Sequence, residues 1–157
     1  MRTKIDPDSF GFLINDIARM TRSVFEREIE VAKLTVTAAE ARVLAHMARG
    51  GPTRQHLLAD RLGMTPMSLT GFLDRLEAEG LVAREADPKD RRAKIVTLTP
   101  RASETLSQMA QAGARAEEEI SHGLCPDDWA TFLATAHQLR ANITGQNSGT
   151  AKAEDAV

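Results

Sequence analysis

Leu57-Leu58-Ala59-Asp60-Arg61-Leu62-Gly63-Met64-Thr65-Pro66 holds the end of one helix and the start of the next with almost nothing between them. Leu57, Leu58 and Leu62 recur at helical spacing, and Gly63 supplies a stop because glycine accepts the left-handed end conformation. Pro66 suits the first position of a following helix, and Thr65 can cap that helix through its hydroxyl. Leu69, Phe72, Leu73 and Leu76 then fall on one face until Gly80. Met67, Ser68, Thr70, Gly71, Asp74 and Arg75 are left on or beside the opposite face. Two helices joined by so tight a turn predict a helix-turn-helix.

Downstream, Leu81 to Ala86 and Lys94 to Thr99 are short β-prone runs, the second alternating Ile95, Thr97 and Thr99 against Val96 and Leu98. The Asp87-Pro88-Lys89-Asp90 between them is turn chemistry, so a hairpin follows with the basic tip Asp87-Pro88-Lys89-Asp90-Arg91-Arg92. Upstream, Thr53 is expected to cap the first helix of the pair, and Gly50-Gly51-Pro52 to end the helix before it. That earlier helix begins at Thr37-Ala38-Ala39-Glu40, where the Thr37 hydroxyl accepts from the amide three residues on and Glu40 reaches back. It continues through Ala41, Leu44, Met47 and Ala48.

Long helices flank this segment. Phe10, Leu13, Ile17, Met20 and Val24 form an apolar stripe over residues 9–31, widened by Ile14, Ala18 and Phe25. Pro100 opens a helix carrying Leu106, Met109, Gly113, Ala116 and Ile120 on one face. Pro126 opens the last, with Asp127 and Asp128 at its positive end, and is expected to bury Trp129, Phe132, Leu133, Ala136, Leu139 and Ile143. From Gly145 onward no core-forming pattern remains. The expected fold is mainly α with a small β-hairpin wing, a winged helix-turn-helix joined to an α-helical dimerisation region. Its parts are an N-terminal dimerisation helix (1–36), the winged helix-turn-helix (37–101), C-terminal dimerisation helices (102–144) and a flexible tail (145–157).

At 157 residues, 42% hydrophobic and 27% charged, the chain has the composition of one ordinary globular domain. No apolar run reaches the length of a membrane span and no signal-peptide core follows Met1, so a cytoplasmic protein is expected. The formal net charge of −2 announces no polyanionic partner. Residues 53–101, however, carry nine Lys and Arg against seven Asp and Glu, a local excess of the right sign for nucleic acid. Cys125 is the single cysteine, which excludes an internal disulfide. It has no adjacent Lys, Arg or His to make it a sensor thiol. His46, His56, His122 and His137 show no ligand spacing, and no phosphate loop or catalytic triad stands out. No metal, cofactor or enzymatic activity is expected.

The hairpin tip carries the sharpest signal. A guanidinium is narrow, permanently charged and drawn to the negative potential of a narrow minor groove, which singles out Arg92, with Lys89 and Arg91 beside it. Asp90 would face phosphates if it stood free, and makes sense as a brace holding an arginine. On the second helix, Thr65, Ser68 and Thr70 can bond bases or phosphates, Met67 can touch a thymine methyl, and Arg75 can hold backbone. The plain alternatives are a solvated hairpin and an exposed polar helix face. Gly71 offers no side chain for readout.

Leu57 to Thr65, Leu73-Asp74-Arg75-Leu76-Glu77-Ala78-Glu79-Gly80-Leu81-Val82-Ala83-Arg84, the tip Asp87 to Arg92, and Val96-Thr97-Leu98-Thr99-Pro100 together resemble the MarR family of bacterial winged-helix transcriptional regulators. The resemblance implies a homodimer of interleaved first, fifth and sixth helices that binds double-stranded DNA at a pseudo-palindromic operator and is released by a small-molecule effector. It matches Asp90 and Arg92 to the family's wing-tip acid and minor-groove arginine, and puts Ser68 and Thr70 in its recognition helix. It also implies an effector cavity between the dimer helices and the winged lobe, for which Met20, Phe25, His46, Met47 and Met109 are the candidate linings. Gly71 stands where many members have a basic residue, and Ala102 where they often have glycine. Nothing matches the N-terminal reactive cysteine of redox-sensing members. The breadth of the first helix's stripe and the apolar face of the last argue for a dimer independently, since a small winged domain would not cover both. The expected function is a dimeric, sequence-specific transcriptional repressor released by a ligand. The rival is a winged-helix protein-interaction module without DNA binding.

Overall fold

The winged segment is built from local signals that the chain obeys closely. In the computed structural model, which describes residues 6–145, a first helix α1 (Phe10–Val31) leads to α2 (Ala38–Gly50). At the start of α2 both halves of the capping box are made: the Thr37 hydroxyl accepts from the Glu40 amide at 3.3 Å, and Glu40 accepts from the Thr37 amide at 2.8 Å. A short strand β1 (Thr53–Arg54) follows, then α3 (Gln55–Leu62), α4 (Pro66–Ala78), the hairpin strands β2 (Val82–Asp87) and β3 (Asp90–Leu98), and the helices α5 (Ala102–Ile120) and α6 (Pro126–Ile143).

Gly63 and Gly80 end α3 and α4 at φ values of 61° and 73°, the left-handed conformation in which a side chain would be strained. Thr65 caps α4 by accepting from the Ser68 amide at 3.1 Å, and Pro66 takes the first helical position. The strands form an antiparallel sheet in the order β1-β3-β2.

Thr53 differs from its expected role. It is not the cap of α3, a position that Arg54 holds, but a buried residue of β1 opposite Val96. The edge of the hairpin recruits this pair of residues as a third strand, a long-range pairing with no local signature. β3 also starts earlier than its β-prone run, at Asp90, because the turn narrows to Pro88 and Lys89 with Asp87 opposite Asp90. A register shift between Ala86 and Asp87 accommodates the tip.

The core joins Ile29 of α1, Val43, Leu44 and Met47 of α2, Leu58 of α3, Leu69, Leu73 and Leu76 of α4, Val96 of β3 and Ala112 of α5. α5 turns a slightly different face inward than its leucine pattern predicts: Ala102, Thr105, Met109, Ala112 and Ala116 are buried while Leu106 is partly exposed. Small side chains let α5 lie close to α1, where the Phe25 ring is 3.9 Å from the space a Cβ on Gly113 would fill. Arg27 with Glu119, and Arg115 with Glu28 at 2.7 Å, tie the same two helices. Most of the α1 stripe remains exposed, including Phe10, Leu13, Ile14 and Met20.

Contacts divide the chain into two compact units at the Ile120–Ser121 boundary. In the second, Cys125 has a structural task, since its Sγ accepts from the Asp128 amide at 3.4 Å and caps α6. Trp129 stacks on Phe132 with ring centroids 5.6 Å apart. The burial expected along α6 is not realised in the single chain: none of its residues is buried, and Ile143 is 83% exposed. The tail expected beyond Gly145 lies outside the described residues. Among the described residues no helix is long and apolar enough to cross a membrane, and no group of His, Cys, Asp or Glu is arranged to hold a metal ion.

Candidate nucleic-acid interface

The start of α4, the start of α3 and the wing meet around one concave surface. Gln55 and His56 of α3, Pro66 of α4, and Arg92, Ala93 and Lys94 of β3 line a cavity of about 220 Å³ there. Side chains alternate faces along a strand, so Arg92 and Lys94 share the face that Arg91 and Ile95 do not. Lys89, Arg91, Arg92 and Lys94 are all exposed. None of the four joins an ion pair among the described residues. The wing therefore presents cations whose charge the fold does not neutralise.

The acid that holds an arginine at the tip is Asp87 rather than Asp90. The Asp87 carboxylate is nearly buried and accepts from Arg54 Nε at 2.6 Å and from the Lys89 amide at 2.8 Å. The Lys89 amide, opposed by burial and aided by Arg54, keeps its pKa below the ordinary carboxylate value. Arg54 sits in β1 immediately before α3, so this pair ties the tip of the wing to the base of the helix pair. Asp90 instead accepts from the backbone amide of Arg92 at 3.1 Å. It steadies the strand that carries Arg92 and leaves the Arg92 guanidinium free.

On α4, Met67 is 85% exposed, and Thr65 and Ser68 are exposed with their hydroxyls 2.8 Å apart. Thr70 is half-buried. Its hydroxyl donates to the Pro66 carbonyl at 2.9 Å and accepts from Gln55 Nε2 at 2.8 Å, which fixes α3 against α4. Gly71 lies in open space, where an added Cβ would meet nothing within 4 Å, so packing does not require glycine there.

Charged clamps hold the far half of α4. Arg75 Nε donates to Glu40 Oε1 at 2.5 Å, and the Arg75 guanidinium lies 5.1 Å from the Phe72 ring centre. Glu40 is thus shared between the cap of α2 and the side of α4. Burial alone would raise its pKa, but the Thr37 amide, Arg75 and the Thr37 hydroxyl together hold it below the usual value. Arg84 of β2 bridges Asp74 at 2.7 Å and Glu77 at 2.5 Å, and the Glu77 carboxyl is held low chiefly by that hydrogen bond. The helix therefore cannot roll without breaking ion pairs to α2 and to the hairpin. Arg54, Gln55 and Asp87 had no signal of their own as supporting residues; the turn chemistry of Asp87-Pro88-Lys89-Asp90 put Asp87 in the hairpin but gave no sign of its pairing with Arg54.

The five residues proposed as effector linings stand in different surroundings. Met47 and Met109 are core residues, Phe25 packs against the core, and Met20 is exposed. His46 lines a cavity with Arg49, Gly50 and Arg61.

Residues 36–94 match the model of the MarR family. Apo MarR from E. coli is 26% identical, with a TM-score of 0.75 over 87% of this chain and 98% of that one. A MarR-family transcriptional regulator from Silicibacter pomeroyi is 26% identical, with a TM-score of 0.68 over 86% of this chain and 90% of that one. Bordetella bronchiseptica BpsR, 22% identical with a TM-score of 0.68 over 88% of this chain and 97% of its own, shares the fold. Over residues 36–94 the chain is similar to the MarR family, and its fold is that of the solved MarR-type regulators.

Proposed function

We propose that this chain, as a MarR-type winged-helix protein, is a homodimeric, sequence-specific DNA-binding repressor whose operator is pseudo-palindromic and whose release is controlled by a small-molecule effector. The observation that carries the reading is the pairing of unneutralised wing cations with a recognition helix clamped beside them. Arg92 enters the minor groove, steadied through its backbone by Asp90, while Lys89 and Arg91 meet phosphates. The start of α4 lies in the major groove, where Thr65, Met67 and Ser68 are the exposed contacts and Thr70 keeps one lone pair for the duplex. Arg75 gives its Nε to Glu40 and, at 60% side-chain exposure, offers its remaining amines to backbone phosphate. With Gly71 silent, sequence is read as much through groove shape as through base edges.

The exposed apolar residues of α1 and of α6 support two-fold association, because each helix leaves a larger apolar face uncovered than a monomer tolerates well. Two wings and two α4 helices then meet half-sites about 34–36 Å apart. In BpsR, DNA binding is regulated by 6-hydroxynicotinic acid, a precedent within this fold for an effector-controlled regulator. An effector acts here by favouring one spacing of the winged lobes over another. Selection of bound duplexes from a random pool tests the proposal. Recovery of an inverted repeat with half-sites one helical turn apart is expected, and a pool that yields no enrichment at low salt refutes it and favours the protein-interaction alternative.

A further inference from the structure

Arg42, His46 and Arg49 occupy positions i, i+4 and i+7 of α2 and so share one stripe of that helix. At its end, His46, Arg49, Gly50 and Arg61 of α3 line a cavity of about 420 Å³. No ion pair among the described residues engages Arg42, Arg49 or Arg61. The Nε of Arg42 is buried and meets no hydrogen-bond partner. Burial, and then the positive charges of Arg49, Arg42 and Arg61, hold the His46 imidazole below its usual pKa.

Cations at a helix C-terminus ordinarily answer the helix dipole, and Arg61 does reach over the last turn of α2: a Cβ on Gly50 would lie 2.8 Å from its Nη1. That dipole amounts to about half a negative elementary charge. Three guanidiniums exceed it several-fold: Arg49 and Arg61 are exposed, while Arg42 is half-buried with its Nε out of water, where charge without a counter-charge is costly. The fold tolerates this cluster best with an anion present.

We propose that the cavity between α2 and α3 binds a small, multiply charged anion, a phosphate ester or a polycarboxylate, gripped by Arg49 and Arg61, with Arg42 supplying charge behind them and His46 forming part of the wall. Guanidinium forks match the oxygens of either group in pairs. The site lies within the winged lobe and shares no lining residue with the cavity beside Arg92. It is read on the protein alone, so it stands or falls separately from duplex binding.

Isothermal titration of the full chain with pyrophosphate and, in a second arm, with citrate at low ionic strength separates the two anion classes. Saturable binding of at least one, at one site per chain, is expected. Arg49→Gln and Arg61→Gln alter exposed side chains and should each weaken it about tenfold or more. Arg19→Gln, at a residue paired with Asp16 on α1, should leave it unchanged. Binding of neither anion overturns the proposal, as does binding that both cavity variants leave intact. Loss of salt dependence in duplex binding by those variants, with no small anion bound, also overturns it and assigns the cations to DNA phosphates.

Discussion

Replacing Glu40 by Gln or by Ala separates two tasks that its carboxylate performs together. One oxygen accepts from the Thr37 amide and hydroxyl at 2.8 and 2.9 Å, closing the cap of α2, and the other accepts from Arg75 of α4. Glutamine keeps an oxygen for the cap and loses the ion pair; alanine loses both. The cap is worth about 1 kcal/mol. The ion pair is worth about 1 kcal/mol or less, because the Arg75 side chain is 60% exposed and solvent screens it, although Glu40 itself is only 7% exposed. Alanine should therefore cost about 2 kcal/mol and glutamine about 1, or melting-temperature losses near 4–8 °C and 2–4 °C for a chain of this size. Thermal melts at one fixed protein concentration measure both, since association would otherwise shift the midpoint. Acid adds an independent check. The folded pKa of Glu40 lies below the usual carboxylate value, so its contribution is complete above that value and is lost as pH falls through the folded pKa. The gap between the wild type and Glu40→Gln should close on acidification below about pH 4.5. Equal melting temperatures for the two variants, or a gap that acid leaves unchanged, would refute the shared role of this carboxylate.

Arg92→Ala should weaken duplex binding roughly tenfold or more at fixed salt while leaving the melting temperature unchanged, since the side chain is exposed and unpaired; a gel-shift titration decides it. Asp87→Ala removes a negative charge from the wing and on charge alone would strengthen binding. The strut to Arg54 predicts the opposite, a loss of affinity as the tip loosens, so the sign of the change is diagnostic. Phe132→Glu and Ile143→Glu put charge on the exposed apolar face of α6, and sedimentation velocity should show them shifted towards monomer. A dimer that survives both would remove α6 from the interface.

The local elements were legible because their causes are local. Thr37 and Glu40, Thr65 and Pro66, Gly63 and Gly80 each act on backbone within a few residues, and the structure places every one at the boundary it marks. The wing's existence followed from its turn chemistry and alternation. Its third strand did not, because Thr53 and Arg54 carry no strand pattern of their own and pair only when β3 presents an edge. Apolar periodicity along α6 forecast burial that one chain does not supply, since a stripe records what a helix needs covered and not what covers it.

The sequence by itself determined the helix-turn-helix, the hairpin with Arg92 at its tip and the family to which the winged helix is related, all of which rest on short-range spacing. Only the tertiary structure decided which charges are spent in holding the frame and which stay free. Asp87 and Arg54 are 33 residues apart, and Glu40 and Arg75 are 35 apart. Which acid meets which arginine is set by packing across elements, where burial and geometry select one partner among several of equal charge. The same packing leaves Arg92 unpaired, and with it the chemistry the wing can offer a duplex.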